Sequence, residues 1–557
     1  MSDATKPRLL VIGIDGADRL ITRHLMDAGE LPNLAALARD GAWGLARSTT
    51  PPTTPPAWTS IMTGKGPGRH GVFDFLPMAG DAMDSPIASR RRAMTLWRAL
   101  SDAGLRVGTF NLPATYPPET LTGFQVSGFD AAGYEPSMAQ PREAFEVLRD
   151  VVGDYELCPF SIQDPEGNRA ALVQHADVPL LGTGALLRRW PCDVYMTSFQ
   201  IVDWVHHGHL GREMAPMRPE TLPADGQVIE AYRLVDDRIG ALLSEWMGDD
   251  STVIVLSDHG GTSADRLVNL EKLFLEHGLL VYASTSGGEA AALEGRRSRA
   301  ASALRLWMGL KRALPPLARL MAPLARRMRG PLSTYQEDVA IDWSRTRAAP
   351  WGKYAQVRLN LAGRDGEGIV APGDVSGLAD DITALLQSLR DPLSGEAIYT
   401  EVLRNEQLYD GPHGQLGPDL YGVPVQERYL TVSARSGMGM LPLIDVQPEP
   451  VVALDPGWGV HSSVGIVMLA GRGVRPGAQV ELASVEDFAP TALHLLGQPI
   501  PEDMDGRALL GVLDPSVVGG EPQTCAPWPE PERPEAETYS DTEREAVEQR
   551  LRSLGYM

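Results

Sequence analysis

The sequence predicts an α/β fold built on a mainly parallel sheet that helices cover on both faces. Short apolar runs alternate with longer amphipathic stretches, including 31–39, 94–103 and 228–247, that have helical periodicity. This alternation is typical of βα units, whose crossover helices bury both faces of a parallel sheet. The apolar runs expected to form buried parallel strands are residues 9–14, 107–110, 194–199, 253–256 and 464–469.

The length of the chain, 557 residues, exceeds what one compact core accommodates and predicts two or three lobes. We expect an α/β core in two parts, residues 1–283 and 341–515, separated by a basic helical insertion or cap at 284–340. Residues 516–557 begin with a tail rich in Pro and Glu. They end in a predicted helix that Ser540 would cap.

The insertion is set apart by its charge. Residues 296–330 contain ten Arg or Lys residues and no acid, in a chain that is acidic overall. Their Leu, Met and Trp residues recur at helical spacing, which predicts short amphipathic helices. Two interpretations remain open: a cap that packs on the main domain, or a peripheral surface that contacts membrane lipid or an anionic substrate.

The composition narrows the class of protein. Lys and Arg total 50 against 72 Asp and Glu, and the net charge of -22 argues against nucleic-acid binding. Three cysteines without CxxC spacing argue against a disulfide framework or a thiolate zinc site. The first residues lack the apolar stretch of a signal peptide, and no apolar run approaches the ~20 residues of a membrane helix. We therefore expect a cytoplasmic protein, and we find no sequence signal for its oligomeric state.

Oxygen and nitrogen ligands stand at or near the ends of several predicted strands. Because ligands of open α/β sheets bind at the carboxyl ends of the strands, these side chains are expected to converge on one edge. Carboxylate, imidazole and hydroxyl groups without thiolates suit a divalent metal site. The candidate residues are Asp15, Thr54, Asp203, His207, Asp258, His259 and His461.

The spacing of some candidates supports a metal site. Asp203 and His207 are four residues apart, so on a helical turn they share a face. Asp258 and His259 end an apolar run and precede a Gly-Gly pair that we expect to supply a tight turn. Taken singly, each candidate is also explained as a cap, a turn residue or a structural histidine, so the hypothesis depends on the whole group.

The sequence around Thr54 indicates a second role for this residue, because Thr54 stands before Pro55 and a helical run. This order predicts a helix that Thr54 caps and Pro55 begins. The N-terminus of such a helix has free N–H groups and a positive dipole end, which suit an anionic phosphoryl group. The Thr54 hydroxyl would then point to the phosphate.

Together these segments resemble the alkaline phosphatase superfamily, in particular its type I phosphodiesterase/nucleotide pyrophosphatase branch. The resemblance extends from residue 9 to about residue 510, apart from the basic insertion. It implies an alkaline-phosphatase-like α/β/α sandwich with an inserted helical cap, and a metal-dependent phosphodiesterase or phosphohydrolase. The motifs that carry it are IDGAD, TTPPAWTSIMTG, PGRHGVFDF, VDWVHH, SDHGG, GVHSSVGIVML and EDFAPTALHLLGQPIPEDMDG.

The resemblance also implies roles for the candidate ligands around two divalent metal ions, Zn²⁺ or alternatively Mn²⁺ or Fe. Thr54 would attack phosphorus, and water would hydrolyse the phospho-threonine intermediate. A phosphotransferase, nucleotidyltransferase or phosphomutase using the same site is the alternative, as is a phosphomonoesterase. One metal would be bound by Asp15, Thr54, Asp258 and His259, and the other by Asp203, His207 and His461.

Two positions depart from the relatives' pattern. Sulfatases carry a Cys or Ser nucleophile with an Arg four residues later, whereas this chain has Thr54 and Trp58, which argues against sulfatase activity. Nucleotide pyrophosphatases have an Asn three residues after the Thr, where this chain has Ala57. Either the backbone N–H groups at the start of the helix would then hold more of the phosphate, or another side chain would help, with Lys65 and Asn111 as candidates.

The expected substrate is a small phosphoester. Apart from Arg47 and Arg69, no arginine lies near Thr54 in the sequence, which favours a diester over the dianion of a monoester. An arginine of the basic insertion that reached the site would be the alternative. The candidate substrate contacts are Pro55, Lys65 and Asn111.

Overall fold

The structure is a computed structural model that describes residues 6–75, 85–162, 169–283, 341–432, 451–531 and 538–554. The predicted insertion at 284–340, with its basic stretch 296–330, lies outside the described residues. The expected cap and the expected lipid contact therefore remain predictions. Among the described helices, none has the length and apolar character needed to span a membrane.

The chain forms two compact units. The first contains the described parts of Met1–Asp265, Asn405–Gly417 and Leu454–Leu554, and the second those of Arg266–Arg404 and Pro418–Ala453. The predicted second part of the core, 341–515, is thus divided between the two units. The predicted tail belongs largely to the first unit rather than forming a region of its own.

Strands alternate with helices over most of the first unit, as the sequence predicts. The described strands belong to both units. In chain order they are β1 (Leu9–Ile14), β2 (Ala42–Arg47), β3 (Val107–Leu112), β4 (Phe124–Ser127), β5 (Ala139–Gln140), β6 (Val194–Phe199), β7 (Thr252–Leu256), β8 (Gly260–Asn269), β9 (Ala348–Trp351), β10 (Gln356–Leu359), β11 (Tyr399–Arg404), β12 (Leu420–Pro424), β13 (Tyr429–Val432), β14 (Val451–Ser462), β15 (Val464–Gly471), β16 (Ala478–Ser484), β17 (Ile500–Pro501) and β18 (Thr524–Cys525).

The α-helices agree with the predicted examples to within two residues at their ends. They are Arg19–Asp27, Pro32–Asp40, Thr54–Thr63, Pro67–His70, Ile87–Arg90, Leu96–Asp102, Glu143–Val152, Arg169–Arg189, Ile201–Val205, Gly211–Glu213, Gln227–Trp246, Leu270–Glu276, Val375–Ser388, Asn405–Leu408, Phe488–Leu495, Pro515–Val518 and Asp541–Leu554. A π-helical turn, His206–Leu210, continues the helix Ile201–Val205.

The main sheet of the first unit has the order β16-β2-β15-β7-β1-β6-β3-β4-β5. The pairings among β7, β1, β6, β3 and β4 are all parallel, which confirms the mainly parallel sheet. The expectation of a parallel strand at 464–469 is wrong, because β15 runs antiparallel to both β2 and β7. An apolar run has the same appearance in either direction, so hydrophobicity alone does not set strand polarity.

Helices bury both faces of this sheet. On one face, Leu9 and Val11 of β1 pack in a hydrophobic cluster with residues of the helices Thr54–Thr63, Leu96–Asp102 and Phe488–Leu495. On the other face, Gly182 of the helix Arg169–Arg189 lies against Phe110 of β3. Every residue of β1, β3, β6 and β7 is buried, as expected of strands covered on both sides.

The second unit has a smaller sheet of the order β11-β12-β10-β9, in which all pairings are antiparallel. Its helices Leu270–Glu276 and Val375–Ser388 contribute to a separate hydrophobic cluster.

In the first unit, the predicted C-terminal helix is present and Ser540 caps it. The Glu543 N–H donates to Ser540 Oγ (3.3 Å) and the Ser540 N–H donates to the Glu543 carboxylate (2.8 Å).

Close packing at one strand pair provides a test of the fold. A Cβ atom at Gly44 of β2 would lie 1.9 Å from the carbonyl oxygen of Val480 in β16. We predict that Gly44→Ala lowers the free energy of unfolding by about 1–3 kcal/mol, because the backbone of β16 must move. The matched control is Gly511→Ala, whose Cβ meets open space and should change stability by less than about 0.5 kcal/mol. Equal stabilities of the two variants in urea denaturation would contradict this packing.

Candidate metal centre

The predicted ligands converge at one edge of the main sheet. Asp15 follows β1 and Asp258 follows β7, and these neighbouring parallel strands end at the same edge. Asp203 lies just after β6, the other neighbour of β1. His461 comes before β15 rather than after it. Because β15 is antiparallel to β7, its amino end lies at the same edge, and its polarity accounts for the position of His461.

The first group of ligand atoms surrounds His259 Nε2. Asp258 Oδ2 lies 3.1 Å from this nitrogen, Thr54 Oγ1 lies 3.2 Å from it and Asp15 Oδ1 lies 3.7 Å from it. All four side chains are buried, with exposures of 2% or less. The structure thus brings together the four residues predicted to share one metal.

The second group consists of Asp203, His207 and His461. His207 Nε2 lies 3.3 Å from Asp203 Oδ2, and His461 Nε2 lies 3.3 Å from Asp203 Oδ1. The two Nε2 atoms are 3.1 Å apart. These ligand atoms all lie within 4.8 Å of one another, and Asp203 also lies within that distance of Asp15 and His259. Asp203 therefore joins the two groups.

Backbone carbonyls orient two of the imidazoles. His461 Nδ1 lies 2.7 Å from the carbonyl oxygen of Pro52, and His259 Nδ1 lies 3.0 Å from that of Gly260. A carbonyl only accepts, so each Nδ1 carries a proton, and Nε2 is the nitrogen of each ring that can bind a metal. Histidine ligands of metals are commonly fixed in this way.

The carboxylates share a space with little compensating charge. Burial raises the pKa of Asp15 well above its usual value, and repulsion from Asp258 and Asp203 adds to the effect. Burial also raises the pKa of Asp258, although the Gly16 N–H donates to its Oδ1. Burial opposes the charge of Asp203 too, but His207 and His461 outweigh it and hold the pKa of this carboxyl well below its usual value.

The two groups fit divalent cations. Asp15 Oδ1 and Asp258 Oδ2 are buried and have no hydrogen-bond partner among the described residues. A buried carboxylate oxygen without a donor is strongly disfavoured unless a cation compensates it. Burial also lowers the pKa of His259 well below its usual value, which keeps its ring neutral and able to bind a metal.

The start of the helix Thr54–Thr63 differs from the prediction. Thr54 is its first residue rather than its cap, and Thr53 precedes it without a side-chain capping bond. Pro55 and Pro56 have no N–H, and the Ala57 N–H donates to the carbonyl of Thr53 (3.1 Å). Pro55, Pro56 and Ala57 therefore offer no free N–H group here, and the expectation that backbone N–H groups replace the missing Asn stays a prediction for the Thr54 N–H. The Thr54 hydroxyl instead faces His259.

Two of the candidate substrate contacts, Lys65 and Asn111, form hydrogen bonds with residues outside the donor groups. Lys65 lies beyond the opposite end of this helix, and its ammonium pairs with Asp503. Asn111 lies at the end of β3, where its amide donates to the carbonyl of Ser198 (3.0 Å) and to Gln200 Oε1 (2.7 Å). Pro55 is buried within the first helical turn.

Some contacts of the site were not predicted from the sequence. The Trp58 indole N–H donates to Asp15 Oδ2 at 3.0 Å. Ser462 Oγ, next to His461, donates to Asp18 Oδ2 at 2.9 Å and ties the loops of two ligands together. Asp18 stands before a helical run, which signals a cap, and it does cap Arg19–Asp27, but its link to Ser462 has no local sequence signal.

The two glycines after His259 have a different role from the predicted turn, because they begin β8. A Cβ atom at Gly261 would lie 2.1 Å from His206 Nδ1, and one at Gly260 would lie 2.3 Å from Ser462 Oγ. Both positions therefore require glycine for close packing beside the ligands.

Comparison with protein families gives a match over most of the chain. The family model described as type I phosphodiesterase / nucleotide pyrophosphatase matches residues 9–465. The chain belongs to this family. The match confirms the resemblance to this branch of the alkaline phosphatase superfamily and identifies a metal-dependent hydrolase of the phosphodiesterase/pyrophosphatase type. Among curated proteins, none matches the chain.

The donor groups of this phosphodiesterase-family chain predict how one carboxylate affects metal binding. Asp258→Asn keeps the shape of the side chain but removes its charge. We expect the affinity for Zn²⁺ to fall at least about tenfold, because even residues that only hydrogen-bond to a metal ligand contribute about tenfold or more to metal affinity. Competition with a chromophoric chelator measures it. Asp130→Asn, at a buried carboxyl outside both donor groups, is the control and should leave the affinity unchanged. Equal loss in both variants would count against the assignment.

Proposed function

We propose that this chain hydrolyses a phosphodiester or pyrophosphate bond by way of a covalent intermediate on Thr54, in a centre that holds two divalent cations. The observation that carries the proposal is the position of Thr54 Oγ1. It lies 3.2 Å from His259 Nε2, within the first donor group and at the start of a helix. A hydroxyl placed among metal ligands is the arrangement expected of an activated nucleophile.

The proximity of the candidate ligands supports two cation positions. Asp15, Thr54, Asp258 and His259 would hold one cation, and Asp203, His207 and His461 would hold the other. Such cations lower the pKa of a bound hydroxyl and neutralise negative charge on the attacking and leaving oxygens. The oxygen and nitrogen donors suit Zn²⁺ and also accept Mn²⁺ or Fe.

In the first half-reaction, Thr54 Oγ1 forms a bond to phosphorus and the bond to the leaving oxygen breaks. In the second, a water oxygen bonds to phosphorus and Thr54 Oγ1 leaves, so the chain is regenerated. His259, His207 and His461 would bind the cations through Nε2, and backbone carbonyls fix the rings of His259 and His461. The positive end of the helix dipole at Thr54 favours the anionic group.

Charge balance favours a singly charged substrate group. Three carboxylates and two divalent cations leave a net charge of +1, which a Thr54 alkoxide would reduce to zero. The basic side chains that follow Thr54 do not add charge to the site. Lys65 pairs with Asp503, and Arg69 pairs with Asp505 and Asp410. A phosphodiester, with one negative charge, therefore matches this centre better than the dianion of a monoester.

Replacing the nucleophile separates chemistry from metal binding. Thr54→Ala should lower kcat at least about 10³-fold, because the covalent route is lost, while Zn²⁺ stays bound through the remaining ligands. Thr54→Ser is the control, because it keeps a hydroxyl and should retain measurable turnover. The measurement is release of nitrophenol from bis(4-nitrophenyl) phosphate, together with the metal content. Near-full diesterase activity of Thr54→Ala would overturn the nucleophile assignment.

A substrate panel tests the reaction class. With Zn²⁺ or Mn²⁺ restored after chelation, we expect bis(4-nitrophenyl) phosphate to be cleaved with a higher kcat/KM than 4-nitrophenyl phosphate. Added glycerol should not divert most of the product from hydrolysis. A preference for the monoester would identify a phosphomonoesterase, and a dominant glycerol adduct would identify a transferase. Activity that survives complete chelation would exclude the metal-dependent mechanism.

A further inference from the structure

Trp58 lies one helical turn after Thr54 and on the same helix face. Its indole is fully buried, and its N–H donates to Asp15 Oδ2 at 3.0 Å. The relatives' pattern does not explain this residue, and the proposed reaction does not use it. Its contact with Asp15, a predicted metal ligand, indicates a role in orienting that ligand.

The hydrogen bond gives the two carboxylate oxygens of Asp15 different surroundings. Oδ2 is held by the indole, whereas Oδ1 has no hydrogen-bond partner in the part of the chain that the structure describes and lies 3.7 Å from His259 Nε2. A carboxylate fixed in this way presents one chosen oxygen to a cation. Without the indole, the carboxylate is free to rotate and both oxygens lose their fixed directions.

The strand that carries Asp15 is shaped to accept this indole. Gly13 lies two residues before Asp15, and a Cβ atom there would lie 2.2 Å from Trp58 Cη2. Any larger residue would displace the ring. Leu9 and Val11, at alternate positions of β1, share a hydrophobic cluster with Trp58. The ring thus continues the packing of this strand face as far as the ligand.

We propose that Trp58 is a positioning residue for the metal centre, which fixes Asp15 as a single-oxygen ligand and joins the nucleophile's helix to that ligand. This inference rests on the metal site of the proposed function. Gly13 is the companion residue that makes room for the indole. The residue four positions after the nucleophile thereby acts on a metal ligand rather than on the substrate.

The test compares Zn²⁺ affinities of Trp58→Phe and Trp97→Phe by competition with a chromophoric chelator. Trp97 is a suitable control because it is fully buried in the same hydrophobic cluster and its indole donates to Glu119, away from the ligands. Outer partners of metal ligands typically contribute 10–100-fold to affinity. We expect Trp58→Phe to weaken one of the two Zn²⁺ sites about 10–100-fold, and Trp97→Phe to leave both sites unchanged.

A rescue variant separates the hydrogen bond from packing. In Trp58→His, one ring nitrogen can occupy the position of the indole N–H, so affinity should recover relative to Trp58→Phe. Gly13→Ala keeps the indole but displaces it, and should lose affinity as Trp58→Phe does. Thermal unfolding of the metal-free variants measures the loss of packing alone. If either Trp58→Phe or Gly13→Ala is folded, its Zn²⁺ affinity can be compared with that of Trp97→Phe.

The inference is overturned if the folded Trp58 variants bind Zn²⁺ as tightly as Trp97→Phe, or if Trp58→His shows no recovery. Affinity is measured without turnover, so the outcome is separable from that of the proposed function. If the wild-type chain binds two Zn²⁺ but cleaves no phosphoester, the proposed reaction is contradicted. The role of Trp58 is still decided by the affinity measurement.

Discussion

The structure depends on one electrostatic constraint: three carboxylates are buried together at the edge of a sheet. Asp15, Asp203 and Asp258 each have an exposure of 2% or less. His207 and His461 hold the pKa of Asp203 low, whereas Asp15 Oδ1 and Asp258 Oδ2 have no hydrogen-bond partner among the described residues. Burying unpaired charges is strongly unfavourable, and burial accordingly raises the pKa of Asp15 and Asp258. We therefore expect bound cations to stabilise the folded chain with these carboxyl groups ionised.

The fold brings these charges together through strand polarity. Parallel β6, β1 and β7 deliver a carboxylate each at their carboxyl ends, and antiparallel β15 adds His461 at its amino end. Glycines and an indole then fit tightly behind the ligands, at Gly13 and Gly261. The same close packing that fixes the ligands makes their surroundings intolerant of even a methyl group.

Much of this arrangement could be predicted from the sequence, because strand ends, helical spacing and ligand chemistry are local properties. The predicted ligands come together at one edge of the sheet, and which of them share a cation stays a prediction. The strand polarity of β15 could not be predicted, since an apolar run carries no direction. Nor could the pairing of Lys65 with Asp503, which lie far apart in the chain. The missing N–H groups at the start of the helix, by contrast, follow from Pro55 and Pro56 and were open to prediction.

The positions of bound metal ions can be located in crystals. Crystals of the Zn²⁺-loaded chain, with diffraction data collected on both sides of the zinc absorption edge, locate each ion by its anomalous signal. We expect two ions at ligand distances of about 2.0–2.2 Å. One is bound by Asp15, Thr54, Asp258 and His259, and the other by Asp203, His207 and His461. A single ion, or ions bound by other side chains, would contradict this assignment.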